Sequence, residues 1–376
     1  MSQADLSQFD YERDSDQVIL NMGPQHPSTH GVLRLLLTLE GEVLKDIRPD
    51  IGYLHRATEW IGQHRNYAQV TPYMSRLDYV AATAQEFAYV EAVERLAGIE
   101  VPRRAQYARV ILAELTRIAS HLLWWATFGN DLGATTVFLY GFRERERVLD
   151  LIEMMVGARL THHSYRIGGI PYDVPAGFRD KVLDFLRYLR PKLDEYDALF
   201  TGNKILIERT QRVGLLPPDQ AVAWATSGPV IRGSAVPMDI RRSDPYSAYP
   251  DFDFDVVTYD GCDVLSRYLV RMGEIRQSMR IIEQAIKRLP SGPFMAKLPK
   301  VFRAPTGDAY GRVETPRGDF SVYVVGDGSG VPVRVRLRSP CFANLQALPV
   351  MARGHKIGDL VAILGSIDIV LGSVDR

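Results

Sequence analysis

Val101, Ala105, Ala108, Leu112, Leu115, Ala119, Leu122 and Ala126 follow one another at steps of four and three, which puts them on one face of a single long helix. Such a helix draws most of its stability from burying that face, and the alanines on it predict close approach by several neighbouring helices. Pro102 suits the first turn, while Gly129 and Gly133 bracket the end. The Asn130-Asp131 step is therefore expected in a helix-terminal turn, where a charged side chain can face a cavity.

The remaining pattern arranges itself around this helix. VILNM, VLRLLLTLE and GEVLKDIRPD, between Asp16 and Pro49, read as strands, the last two joined by a Gly-containing turn suited to a hairpin. Helical periodicity dominates from Thr58 to Leu289, with further helices expected at Val137 to Val156, Gly177 to Asn203 and Gly261 to Leu289. The Gly/Pro-rich stretch from Val213 to Asp255 reads as a long irregular connection. Beyond Pro290, Gly and Pro punctuate β-like runs such as FSVYVVGD and VPVRVRLR. The expected fold is α+β and mainly helical, divided into a small N-terminal β-sheet region with a histidine loop (1–55), a helical core (56–290) and a C-terminal α+β region (291–376).

Charge and hydropathy exclude several functions. Lys plus Arg and Asp plus Glu both number 45, so no net basic field is available for non-specific nucleic-acid binding. No run reaches the roughly 18 apolar residues that span a bilayer; the oiliest, Leu122 to Phe128, is far shorter. The acidic start MSQADLSQFDYERDSDQ is unlike a secretory signal or a transit peptide, which predicts a bacterial-type cytoplasmic location. Cys262 and Cys341 stand apart, outside any C-x-x-C spacing, and offer neither a disulfide framework nor a cysteine-ligated metal site.

Several segments carry residues capable of chemistry, each with a plain structural alternative. GPQHPSTHG places His26 and His30 in a stiff loop, since Pro24 and Pro27 oppose a helix, and two histidines without a third ligand argue weakly for zinc. TPYMSRLDYV brings Arg76, Asp78 and Tyr79 to a helix start, an arrangement as suited to structure as to catalysis. Asp131 could simply cap a helix beginning near Thr135. His162 and His163 are adjacent, so on a helix they would point about 100° apart, which disfavours a ligand pair. Glu114, Arg117 and His121 are expected to make ion pairs or polar contacts with a neighbouring helix. The alternating charges of FRERERVLD suit a solvated or salt-bridged face.

From about Val18 to Arg376 the chain presents, in order, GPQHPSTHGVLRL, IGYLHRATEW, SRLDYV, ASHLL, DLGATT, FRERE, RIGGIP, FANLQALP and VAILGSIDIVLGSVDR. In these it resembles the 49-kDa or D-type subunits of respiratory complex I, the NADH:quinone oxidoreductase. The resemblance implies a helical core like that of [NiFe]-hydrogenase large subunits. In hydrogenases two cysteine pairs hold the metals, whereas here the C-terminal DIVLGSVDR contains no cysteine, so hydrogenase activity is set aside by ligand count and no metal is expected. The emptied site is expected to serve as a quinone-headgroup pocket, taking ubiquinone or menaquinone, against a B-type iron–sulfur subunit that holds the terminal [4Fe-4S] cluster.

The same resemblance assigns roles residue by residue. His30 and Tyr79 are the expected proton donors to the two quinone oxygens, with Asp131 oriented toward the histidine and freed to move or change charge when His30 loses its proton. Arg56 and Arg76 match positions near the cluster, and Asp359 and Val361 match quinone-channel positions. Where many relatives carry a histidine in the GAR-x-H segment this chain has Thr161, followed by His162 and His163. Further implied partners are the C- and I-type subunits and the H-type membrane subunit, on the cytoplasmic side of a bacterial inner membrane, with peripheral attachment. NADH and flavin belong to other chains, consistent with the lack of a G-x-G-x-x-G after a strand and of a P-loop. The alternatives are the equivalent subunit of a ferredoxin-fed or photosynthetic complex, and a non-catalytic scaffold in a hydrogenase-like membrane assembly.

Overall fold

A computed structural model of the protein describes residues 17–23, 25–26 and 30–376. The acidic N-terminal stretch, Pro24 and Pro27 of the histidine loop and the His26 side chain lie outside the described residues. About 51% of the described residues are helical, beside two small three-stranded sheets, so the fold class is mainly helical α+β.

The N-terminal part comprises β1 (Gln17–Met22), β2 (Gln25–His26), β3 (Gly31–Val32), β4 (Arg34–Glu40) and β5 (Val43–Asp50). β1, β4 and β5 pair antiparallel in the order 1-4-5. Their register follows from alternation: Leu33, Leu35, Leu37 and Leu39 are buried, while the residues between them are half-exposed. The histidine segment, expected as a plain loop, folds back on itself: β2 and β3 pair antiparallel, with His26 opposite Gly31.

The helical body comprises α1 (Thr58–Gly62), α2 (Tyr67–Ser75), α3 (Ala82–Ala97), α4 (Arg103–Asp131), α5 (Thr135–Val156), α6 (Phe178–Tyr196), α7 (Lys204–Thr210), α8 (Pro218–Ala223), α9 (Pro229–Arg232), α10 (Ile240–Ser243) and α11 (Val264–Lys287). The stripe from Ala105 to Ala126 is buried throughout, and α4 packs against α3, α5 and α11. α4 ends at Asp131, so the Asn130-Asp131 step is its last turn. Ala134 occupies the cap position of α5 without a side-chain bond, so Asp131 is not the cap of that helix. The Val213–Asp255 connection is irregular between the short helices α8, α9 and α10, and it delivers Arg232 and Arg241 to the interior.

The C-terminal part adds β6 (Gly307–Thr315), β7 (Gly318–Gly326) and β8 (Arg334–Arg338), antiparallel in the order 6-7-8, then α12 (Pro340–Gln346), α13 (Leu348–Ala352), α14 (Ile357–Ile367) and α15 (Leu371–Asp375). β6 is absent from the sequence expectations because Gly307, Gly311 and charged residues interrupt its apolar pattern. Gly311 is needed there, since a Cβ would stand 2.4 Å from the Ala88 carbonyl oxygen of α3. At the far end, the Asp375 carboxylate accepts N–H bonds from Gly52 (2.9 Å) and Leu54 (2.7 Å), joining the last helix to the N-terminal part. Among the described residues, no helix is long and apolar enough to cross a membrane.

Candidate functional site

The site begins at the turn from α2 to α3. Asp78 Oδ1 accepts the N–H groups of Val80 (3.2 Å) and Ala81 (3.1 Å), so the acid shapes the entry to α3 and turns its other oxygen inward. That oxygen meets not Arg76 but Arg317, whose Nη1 donates to Asp78 Oδ2 at 2.9 Å. Arg317 is carried on the tight turn between β6 and β7, is fully buried, and also donates to Ser120 Oγ on α4 (3.1 Å) and to Asp368 Oδ1 (3.2 Å). Asp368 follows α14 in the left-handed conformation, φ 50°. Its Oδ1 lies 3.5 Å from His30 Nε2.

Tyr79 stands next to this array. Its hydroxyl oxygen is 3.5 Å from the point that a Cβ on Gly31 would occupy, which sets it against the backbone beside His30. The structure thus brings His30 and Tyr79 together from two separate segments of the chain. On the far side, Arg271 of α11 lies 3.9 Å from Asp368 Oδ2 and 4.4 Å over the Trp124 ring. Cys341 of α12 is buried with its Sγ 3.5 Å from the Val370 N–H.

Burial would push the Asp368 carboxyl up, but Arg317, the His30 contact and Arg271 outweigh it and hold it at about 2. For Asp78 burial wins over Arg317, and the neighbouring Asp368 adds to it, so that carboxyl is raised. Its three N–H donors still fix it as an acceptor. Burial, then Asp78, raise the Tyr79 phenol to about 12 against the pull of Arg317. Burial likewise lifts the Cys341 thiol to about 12, so both groups keep their protons at neutral pH. Arg271 is lowered to about 10 by burial, which Asp368 and Glu274 only partly offset.

The other sequence candidates fall in different places. Arg56 is exposed and its Nη2 donates to the Arg76 carbonyl oxygen at 3.2 Å, while Arg76 Nη1 donates to Pro72 O at 2.6 Å. Arg76 also borders a cleft of about 450 Å³ with Arg65, Gln69, Pro72 and Tyr73. Asp131, partly buried, closes α4. Asp359 and Val361 are partly buried near the start of α14, roughly 10–14 Å along its axis from Asp368. Thr161 adopts a left-handed φ of 45°, and with His162 it borders a small void shared with Tyr79, Arg145 and Arg159. His162 is buried, lies 2.6 Å from Ser164 Oγ, and is pushed down to about 4 by burial and then by His163. His163 instead meets Glu86 at 2.9 Å.

Sequence reasoning missed Asp368, Arg317 and Arg271. For Asp368 a signal existed: it is the lone charge between Leu360 and Val374, and a buried lone acid requires a cationic partner. No local signal marks the partner, which is supplied from a turn far along the chain. The Glu114–Arg117–His121 stripe makes the expected polar contacts but lies wholly inside: Glu114 binds Arg241 (3.1 Å) and Ser278 (2.6 Å), and His121 binds Glu274 (2.9 Å).

A family model described as respiratory-chain NADH dehydrogenase, 49 Kd subunit, matches residues 131–376. The chain is 49% identical to the D-type subunit of the NADH-quinone oxidoreductase of Geobacillus thermodenitrificans, over 96% of its own length and 99% of that protein's. It is 48% identical to the H-lettered subunit of the NAD(P)H-quinone oxidoreductase of a Synechococcus strain, over 97% and 100% of the two lengths. Against the D-type subunit of Citrifermentans bemidjiense the identity is 46%, over 96% and 100%.

Proposed function

Because the chain belongs to the 49-kDa subunit family of respiratory-chain NADH dehydrogenases, and so is a subunit of an NADH–quinone oxidoreductase, we propose that its His30–Tyr79 site receives the quinone headgroup and supplies the protons for its reduction. One observation carries this: the Tyr79 hydroxyl stands against the backbone next to His30, which comes from a separate segment, and both border one buried ion network. A quinone taking up two electrons also takes up two protons, on oxygens at opposite sides of the ring, and so needs two donors. Tyr79, whose phenol keeps its proton to about pH 12, gives that proton only to an oxygen made basic by reduction. His30 gives the second, and both are reprotonated from water.

The electrons come from the terminal [4Fe-4S] cluster of an adjacent B-type subunit. Arg56 and Arg76 face that partner in this reading, where positive charge stabilises a reduced cluster and raises its potential. Asp359 and Val361 border the quinone's path, and Asp131 transmits the change in charge at His30 toward proton translocation. The C-, I- and H-type subunits complete the surroundings, and attachment is peripheral, at the cytoplasmic face of the inner membrane. The comparable identity to the Synechococcus NAD(P)H-quinone oxidoreductase subunit supports a quinone reaction common to both, whichever donor feeds the complex.

The test is NADH:quinone reductase activity in membranes carrying Tyr79→Phe, beside NADH oxidation by a hydrophilic acceptor that bypasses the quinone site. The expected result is a loss on the order of a hundredfold in the first with the second intact. Wild-type quinone activity would make Tyr79 structural and favour the scaffold alternative.

A further inference from the structure

Both proposed donors rest on one buried network, and from this we propose that Asp368 is the positioning residue for His30, with Arg317 coupling it to the turn that carries Tyr79; the inference rests on the quinone-site reading above. Asp368 faces His30 from the end of α14 at 3.5 Å and is fully buried. It also holds a left-handed backbone conformation, φ 50°, which is unusual for a residue with a side chain. A buried acid in a strained conformation persists only where its surroundings over-determine it, and such strain gathers at functional sites.

The ionisable groups of the network that His30 joins come from five elements. Asp78 and Tyr79 stand on the turn before α3, Arg317 on the β6–β7 turn, Arg271 on α11, Cys341 on α12 and Asp368 after α14. Arg317 bridges Asp78 and Asp368, Arg271 backs Asp368 from the far side, and His30 meets this network at Asp368. Asp368 faces Nε2, which fixes that nitrogen as the one that stays protonated and leaves the Nδ1–H as the proton given to the quinone oxygen. Quinone, two electrons delivered by the oxidoreductase, one proton from His30 and one from Tyr79 make the quinol. Arg317 binds both Asp78 and Asp368, so the supports of the two donors cannot shift independently.

Asp368→Asn tests this in the assembled complex, because asparagine keeps the shape, tolerates the left-handed conformation and lacks the charge. Bypass activity should be unchanged and quinone activity should fall by about tenfold, and the fall should vanish in a His30→Gln background, because Asp368 acts through the histidine that it faces. A wild-type rate would overturn the proposal, as would an equal fall in both backgrounds. If that variant does not assemble, Asp368→Glu is compared in the wild-type and His30→Gln backgrounds. An effect that vanishes without the histidine supports the proposal, and an equal effect in both overturns it. Loss in Tyr79→Phe with none in Asp368→Asn removes this inference alone, whereas no loss in either removes the quinone-site reading as well.

Discussion

One added methyl group probes how the donors are held. A Cβ on Gly31 would stand 2.9 Å from Leu54 Cδ1 and 2.9 Å from Leu371 Cβ, and the residue's φ of 153° lies where side chains are strained. Gly31→Ala should therefore push the hairpin outward and separate His30 from Tyr79. The expected outcome is a severalfold loss of quinone reductase activity with bypass activity retained, and unchanged quinone activity would mean that the hairpin yields without moving His30. At this scale the sequence named His30 and Tyr79 by resemblance, and the structure puts the Tyr79 hydroxyl against Gly31, the residue after His30. Asp368 escaped notice because its partners Arg317 and His30 are remote in the chain, and a single residue's spacing carries no information about them.

At the scale of elements, the alanine-bearing stripe of α4 makes a quantitative demand on its neighbour. Gly141 of α5 lies so close that a Cβ would meet Ala126 Cβ at 2.7 Å and the Leu122 carbonyl oxygen at 2.9 Å. Gly141→Val should cost about 1–3 kcal/mol through overpacking. It should appear as a lower temperature of heat inactivation of the complex, while Leu139→Val on the exposed face of the same helix should not. The long helices were legible because period 3.6 repeats many times in them, whereas β2, β3 and β6 were not, being short or interrupted by glycine.

At the scale of the whole molecule, a largely apolar interior encloses several fully buried ion pairs. Arg232 binds Glu274 (2.6 Å) and Glu314 (2.8 Å), and Arg241 binds Asp239 (2.7 Å), all of them buried. Burial would raise the Asp239 carboxyl, but Arg241 and Arg232 prevail and hold it at about 2. Its unfolded value is about 3.9. A carboxylate lowered on folding contributes stability that is complete above the unfolded value and lost as pH falls through the folded one. Asp239→Asn, which retains the cap of α10, should thus be less stable than wild type at pH 7 by about 3–5 kcal/mol. The difference should shrink between about pH 4 and pH 2, read as the rate of proteolysis of the complex across that range. A difference that does not depend on pH would assign the effect to packing.

By itself the sequence determined the helical body, the two β regions and, through its ordered motifs, the family. Those properties are local or additive: periodicity, hydropathy and composition act along the chain and can be read along it. Only the tertiary structure decided that Arg317 serves both Asp78 and Asp368, that Asp368 faces His30, and that the charges of α4 are paired inside the core. Low-dielectric burial makes unpaired charge costly whatever its sequence position, so which groups pair is settled by the packing of α4, α11, α14 and the β6–β7 turn against one another.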